Sequence, residues 1–136
     1  MAQPTKDAGM KTVLVVDDDQ DMCWVLNVAL ADLGCEVTTV TSAQDALALV
    51  AEQTFSIGFI DARLPDMDGL RLIKVLRELQ PAIRIIMVSG YYFEDDVPIS
   101  EAAQAAEIDG FLAKPFRIEG IAAALSSASK SVSGRG

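Results

Sequence analysis

The chain has 136 residues, and 51% of them are hydrophobic, which is enough for one globular domain with a continuous buried core. Twenty acidic residues against eleven basic ones give a net charge of −9, which opposes direct binding to nucleic acid or to an anionic membrane surface. The apolar runs are too short for a membrane span, and the first ten residues lack the layout of a signal peptide. Cys23 and Cys35 have no histidine or further cysteine as companions, so we expect neither a zinc site nor a disulfide framework, and a reducing cytoplasm fits best.

Short apolar runs alternate with amphipathic segments along most of the chain. The first run, residues 12–16, is rich in β-branched side chains and stops at acids, which is typical of a strand buried on both faces. Apolar residues then recur at helical spacing from Asp21 to Leu33, and Gly34 follows as a C-terminal stop. We interpret Trp24, within this first helix, as a partly buried packing residue.

The same alternation continues to the end of the chain and predicts the fold. Further strands are predicted at residues 37–40, 56–60, 83–88 and 110–113. Further helices are predicted from a cap at Ser42 to Val50, over a segment carrying Leu72 to Leu79, at about 97–107, and over a segment carrying Ile118 to Leu125. Five strands that alternate with five helices predict an α/β fold with a doubly wound parallel sheet.

The domain is expected to occupy residues 11–128. Residues 1–10 are predicted to form an N-terminal tail, and the serine- and glycine-rich end, 129–136, a flexible C-terminal tail or linker. We expect no DNA-binding or catalytic output module within the chain.

Polar residues follow the predicted strands where a doubly wound sheet carries its chemistry. Asp17 and Asp18 come after the first strand, Asp61 after the third, Ser89 after the fourth and Lys114 after the fifth. Since the carboxyl ends of parallel strands meet at one edge, these residues are expected to share one crevice. Three carboxylates there repel one another and need a cation, a shared proton or extensive solvation to remain together, and Mg²⁺ suits a site of oxygen ligands without histidine. A lysine and a serine beside them suit phosphoryl transfer to a carboxylate.

Four motifs, in this order along the chain, carry a family resemblance. They are Val15-Val16-Asp17-Asp18, Asp61 with Pro65 and Asp68-Gly69, Ser89-Gly90, and Lys114-Pro115-Phe116. In these residues the chain resembles the receiver domains of response regulators, the CheY-like superfamily of two-component signal transduction, over about residues 11–128.

The resemblance implies a flavodoxin-like sheet of order 2-1-3-4-5 and a role for each motif residue. Asp61 would be the phosphoacceptor, and Ser89 and Lys114 would contact the phosphoryl oxygens. Mg²⁺, with Mn²⁺ as an alternative, would be held by Asp17, Asp18, Asp61 and the backbone carbonyl of Arg63. The Lys114-Pro115 bond would be cis.

The same resemblance implies the partners and a switch. A sensor histidine kinase or a histidine phosphotransfer protein would donate the phosphoryl group, binding near the first helix, and an unidentified downstream protein would read the result. Phe111 stands at the switch position, with Ser89 as the second switch residue, and its lack of a hydroxyl leaves a switch that depends on packing alone. Arg63 and Tyr91 are expected to overhang the phosphoryl site and to exclude water from it.

Other functions fit the motifs less well. Asp17, Asp19 and Asp21 have the spacing of a calcium loop, but Met22 and Val28 stand where such a loop needs glycine and glutamate. A dehalogenase-like phosphatase would use Asp17 and Asp19, and a flavin module would need a hydroxyl- and glycine-rich loop in place of the acids. The alternative that stays open is a receiver-like interaction module that is never phosphorylated.

Overall fold

The structure is a computed structural model that describes residues 11–89, 108–114 and 117–135. Its strands are β1 (Thr12–Val16), β2 (Glu36–Val40), β3 (Ile57–Asp61), β4 (Arg84–Ser89) and β5 (Gly110–Ala113). Its helices are α1 (Gln20–Asp32), α2 (Ala43–Val50), α3 (Gly69–Leu79) and α4 (Ile118–Arg135). The helix predicted at about 97–107 and the N-terminal tail lie outside the described residues.

All five strands are parallel and hydrogen-bonded in the order β2-β1-β3-β4-β5, which confirms the predicted fold. Successive side chains of a strand point to opposite faces, so β1 supplies Val13 and Val15 to one core and Leu14 and Val16 to the other. The first core packs α1 and α4 against the sheet, and the second packs α2 and α3. The three inner strands are therefore apolar on both faces until they reach the carboxyl-terminal edge of the sheet.

Local signals mark the ends of the first two helices, and the sequence indicated two of them, Ser42 and Gly34. The Asp19 carboxylate accepts hydrogen bonds from the amides of Asp21 and Met22 and caps α1, and the Ser42 hydroxyl accepts from the amide of Asp45 and caps α2. Gly34 has φ of +92°, a left-handed conformation that glycine adopts without strain, and it turns the chain from α1 into β2.

One expectation about packing is wrong. Trp24 is 66% exposed, because the buried stripe of α1 is formed by Cys23, Leu26 and Leu30 and the tryptophan projects from another side. Helix α4 continues as far as Arg135, into the segment expected to be a tail or linker. The domain boundary at residue 128 stays a prediction. Among the helices of the described ranges, none has both the length and the apolar character of a membrane span.

Asp66 joins the loop after β3 to helix α2. Its two carboxylate oxygens accept hydrogen bonds from the amides of Ala43 (3.0 Å) and Gln44 (2.9 Å), which open that helix. These hydrogen bonds hold the pKa of Asp66 below its ordinary value. The loop that leads from Asp61 to α3 is thereby fixed to the neighbouring helix.

We predict that Asp66→Asn lowers the free energy of unfolding at neutral pH. Because the pKa is depressed in the folded state, the charged cap stabilises the fold above the unfolded value near 3.8, and this stabilisation is lost as the pH falls through the folded value. Urea unfolding of both proteins between neutral pH and acid should show a difference that shrinks below that range. Asp45→Asn is the matched control, since it removes a carboxylate from the first turn of α2 without removing a cap. A difference between Asp66→Asn and wild type that stays constant with pH would contradict the assignment.

Candidate functional site

The carboxyl-terminal edge of the sheet collects the polar residues that the sequence singled out. Asp17 directly follows β1, Asp61 is the last residue of β3, Ser89 is the last residue of β4, and Lys114 directly follows β5. Asp61 and Ser89 had been expected just beyond their strands, and both are instead held by strand pairing, Asp61 opposite Val88 and Ser89 opposite Ala113. The strand ladder therefore fixes the backbone under each of these side chains.

Asp17, Asp18 and Asp61 form a cluster of carboxylates. One carboxylate oxygen of each lies within 4.8 Å of the other two. Asp17 is 1% exposed and Asp61 is 6% exposed, whereas Asp18 is exposed and faces the solvent side of the cluster. The cluster is thus buried on the side of Asp17 and Asp61 and open to solvent on the side of Asp18.

Lys114 supplies the positive charge inside this cluster. Its ammonium nitrogen lies 3.0 Å from Oδ2 of Asp17 and 3.2 Å from Oδ2 of Asp61. Burial alone would lower the pKa of Lys114, but the two carboxylates outweigh that effect and raise it, so the side chain stays charged at neutral pH. In this arrangement the lysine is the counter-cation of two buried acids.

That compensation is incomplete at Asp17. Its Oδ1 accepts a hydrogen bond of 2.9 Å from the amide of Asp19, while its buried Oδ2 has only the charge contact with Lys114 and no hydrogen bond of acceptable angle within the described residues. Burial, with a further contribution from the charge of Asp61, raises the pKa of Asp17 to about 6. A buried carboxylate oxygen that lacks a directed partner, between two further carboxylates, fits the ligand set of a hard divalent cation.

Backbone contacts position the remaining parts of the site. The amide of Lys114 donates to the carbonyl of Ser89 (2.9 Å), so the lysine and the buried serine are linked through the main chain. The amide of Arg63 donates to Oδ1 of Asp61 (3.0 Å) and holds that carboxylate from the loop side. The thiol of Cys23 donates to the carbonyl of Asp17 (3.1 Å), and burial followed by the charge of Asp17 raises the pKa of this thiol to about 11.

Gly69, the first residue of α3, passes very close to the acceptor strand. A Cβ atom built on it would overlap the carbonyl oxygen of Asp61 and lie 2.8 Å from Cα of Ala62. The amide of Gly69 donates to the carbonyl of Ala62 (3.0 Å), which closes the loop between β3 and α3. Only glycine permits this approach of two backbones.

The outer residues of the predicted site are less closely tied to it. The side chain of Arg63 is exposed, and Phe111 on β5 is 42% exposed. Tyr91, Gly90, Pro115 and Phe116 lie outside the described residues, so the shielding role of Tyr91 and the cis bond after Lys114 stay predictions. The switch role of Phe111 and the carbonyl ligand from Arg63 stay predictions as well.

The geometry weighs against two of the competing functions. Asp19 uses its carboxylate to cap α1 and is not part of the cluster, whereas a phosphatase of the dehalogenase type would need it beside Asp17. Asp21 lies within α1, so the calcium-loop spacing does not form a loop.

Two contributors were not identified from the sequence. Asp66 binds amides 22 and 23 residues earlier in the chain, and no local pattern indicates such a partner. Gly69 was noticed as part of a motif, but its closeness to the Asp61 carbonyl arises only when α3 packs on the sheet.

Comparison with known proteins agrees with this site. The family model of the response regulator receiver domain matches residues 13–126. The chain belongs to this family. The described motif residues Asp17, Asp18, Asp61, Ser89 and Lys114 lie at the carboxyl-terminal edge of the sheet, where the fold was expected to bring them.

Solved receivers and curated relatives share the fold and part of the sequence. A CheY-like receiver from Methanospirillum hungatei is 26% identical with a TM-score of 0.85, and covers 94% of this chain and 100% of that protein. A response regulator from Burkholderia pseudomallei, solved with a phosphorylated aspartic acid and a calcium ion, is 32% identical with a TM-score of 0.77, and covers 92% of this chain and 72% of that one.

The curated relatives are longer transcriptional regulators. NtrC of Salmonella typhimurium is 35% identical over 107 residues, which are 79% of this chain and 22% of that protein. ZraR of Escherichia coli K12 is 33% identical over 116 residues, 85% of this chain and 26% of that protein. The receiver thus spans about a quarter of the length of these relatives.

We predict that Gly69→Ala destabilises the receiver by about 3 kcal/mol, because the added methyl group must displace the backbone of Asp61 and Ala62. Urea unfolding measures this change. Gly120→Ala is the matched control: its Cβ would meet only Leu112 Cδ1 at 3.5 Å, and in the first turn of α4 alanine should stabilise by up to about 1 kcal/mol. Equal stability of Gly69→Ala and wild type would show that the close approach is not required.

We predict that Lys114→Met binds Mg²⁺ more tightly than wild type and is less stable without it. The substitution removes the cation that occupies the space between Asp17 and Asp61, and leaves their charges uncompensated. The free energy of Mg²⁺ binding should become more favourable by about 1 kcal/mol, or roughly fivefold in affinity, because the lysine is partly exposed and screened. Calorimetric titration with MgCl₂ measures this affinity. Asp18→Asn should weaken binding in the same assay, and unchanged affinity in both variants would remove these residues from a metal site.

Proposed function

We propose that this receiver is a phosphoacceptor switch of a two-component phosphorelay, in which Asp61 takes a phosphoryl group from a sensor histidine kinase or a histidine phosphotransfer protein. The observation that carries the proposal is the position of Asp61, between two further carboxylates and a lysine at the open edge of the sheet. The Burkholderia pseudomallei relative, whose structure contains a phosphorylated aspartic acid, supports it.

Each residue has a part in transfer that follows from its contacts. An oxygen of the Asp61 carboxylate attacks phosphorus while the nitrogen-phosphorus bond of the donor breaks and its electron pair returns to the imidazole. The strand ladder and the amide of Arg63 hold Asp61 in one orientation. The side chain therefore loses little conformational entropy when the phosphodonor binds. Lys114 can turn from the carboxylates to the incoming phosphoryl oxygens, which keeps its charge where negative charge develops.

Asp17, Asp18 and Asp61 would hold the Mg²⁺ ion, with Mn²⁺ as an alternative and with the carbonyl of Arg63 as a further ligand. The ion would neutralise charge on the phosphoryl oxygens. The partly uncompensated burial of Asp17 supports this assignment from the protein side.

The switch would follow from the same contacts. A phosphoryl group on Asp61 offers new acceptors to Lys114 and to the Ser89 hydroxyl, and the backbone bond between these two residues joins their movements. Phe111, next to Leu112 on β5, would turn inward when Ser89 moves, and the altered surface would be read by a downstream protein. We place this exchange in the cytoplasm. The chain would turn over no separate substrate, so it would act as a switch and not as an enzyme.

We predict that Asp61→Asn abolishes acyl-phosphate labelling by a small phosphodonor, acetyl phosphate, in the presence of MgCl₂. The amide side chain keeps the shape of the site but is not a nucleophile for phosphorus. Phosphate-affinity electrophoresis of the protein measures labelling. Asp45→Asn is the matched control, an exposed carboxylate on α2 that is not part of the cluster and should leave labelling intact. Labelling of Asp61→Asn at the wild-type level would refute the acceptor, and a wild type that is never labelled would favour the unphosphorylated interaction module.

A further inference from the structure

A second cavity lies at the opposite, amino-terminal edge of the sheet. It has a volume of about 250 Å³ and is formed where β1, β3 and β4 begin. We call it the basal pocket, and its main lining residues are Lys11, Thr54, Phe55, Ser56, Ile57 and Arg84. Ile57 and Asp61 stand at the two ends of β3, so the basal pocket is roughly 13 Å from the acceptor at about 3.3 Å per residue.

Two cations line this pocket without an acidic partner. Lys11 and Arg84 are half-buried, and neither forms an ion pair or a side-chain hydrogen bond within the part of the chain that the structure describes. The chain has twenty acidic residues, and the other half-buried cations of the described residues, Arg77 and Lys114, are both paired with aspartates. The pocket is therefore a local positive region on a protein of negative net charge.

The guanidinium of Arg84 is also incompletely satisfied. Its Nε atom is out of contact with water and has no hydrogen-bond partner among the described residues. A buried donor without an acceptor destabilises the folded state. A ligand oxygen in the pocket that accepts a hydrogen bond from this guanidinium would remove the destabilisation.

The floor of the pocket is apolar and rigid. Phe55 and Ile57 are almost completely buried. The amide of Phe55 donates to Oε1 of the buried Gln80 (2.9 Å), and the amide of Arg84 donates to the carbonyl of Ser56 (2.9 Å). The Ser56 hydroxyl lies 3.3 Å from that of Thr12, and either can be the donor, so Ser56 can turn its proton towards a ligand.

We propose that the basal pocket binds a small organic anion, a carboxylate with a compact apolar body. The carboxylate would lie between Arg84 and Lys11, where a guanidinium can donate two parallel hydrogen bonds, and the apolar body would rest on Phe55 and Ile57. A cavity of roughly 150 Å³ is known to hold benzene, so this pocket has room for a body of that size. The site is separate from phosphorylation of Asp61 and goes beyond the proposed function.

Benzoate is the probe for this site. In a titration of the isotope-labelled full chain at fixed ionic strength, sodium benzoate should shift the amide signals of Ser56, Ile57 and Arg84 in a saturable manner. Arg84→Gln should raise the Kd for benzoate at least about fivefold, as expected when a charge-assisted pair is lost. Lys74→Gln, which removes an exposed cation from α3, should leave the Kd unchanged.

Further ligands and a filled pocket distinguish the proposal from surface charge effects. Acetate and inorganic phosphate lack the apolar body, and benzyl alcohol lacks the charge, so each should bind at least about fivefold more weakly than benzoate. Ala82→Leu, at the lip of the pocket, should block benzoate binding without a change of charge.

Three outcomes would overturn the proposal: equal binding of phosphate and benzoate, an equal loss of benzoate affinity in Lys74→Gln and Arg84→Gln, or no saturable shift. Labelling of Asp61 by acetyl phosphate should be intact in all of these variants, which separates this test from that of the proposed function.

Discussion

The structure of the site depends on the cost of keeping acidic side chains together at the end of an apolar sheet. Asp17 and Asp61 are almost completely buried, and Lys114 is the cation that makes their proximity tolerable. The raised pKa of Asp17 shows that one lysine does not fully offset the burial. A further positive charge would therefore stabilise this cluster. The proposed metal ion and the proposed phosphoryl group would both lie beside the same carboxylates.

The scaffold around the acids is stiff, which lets such an unfavourable cluster persist. Asp61 and Ser89 are the last paired residues of their strands, and Gly69 brings the start of α3 directly against the backbone of the acceptor. Asp66 then ties the same loop to α2. Backbone amides also hold one carboxylate oxygen of Asp17 and one of Asp61, which keeps these two buried acids close together, and Lys114 compensates their charge.

The two ends of the parallel strands carry charged residues of opposite sign. At the carboxyl-terminal edge three acids exceed one lysine, while at the amino-terminal edge Lys11 and Arg84 line a pocket without an acidic partner among the described residues. The inner strands β1 and β3 run between the two edges and are apolar on both faces. The described part of the chain therefore presents an acidic cluster at one edge of the sheet and a basic pocket at the other, and these are the sites proposed to bind a cation and an anion.

The sequence by itself determined the class of fold and the composition of the site. Buried strands read as uninterrupted apolar runs, and the acids, serine and lysine that end those runs come to one edge in any parallel sheet, so Asp17, Asp61, Ser89 and Lys114 could be named before their contacts were known. The Ser42 cap was predicted for a different reason, because its partner, the amide of Asp45, lies only three residues away.

Only the tertiary structure decided the contacts made between distant segments. The pairing of Lys114 with both Asp17 and Asp61, the Asp66 cap on α2 and the overlap that excludes a side chain at Gly69 all join elements packed by the fold. The exposure of Trp24 was misjudged for a related reason. Helix α1 carries apolar residues on more than one side, and the stripe that is buried depends on how the helix is rotated against the sheet, which no local pattern specifies.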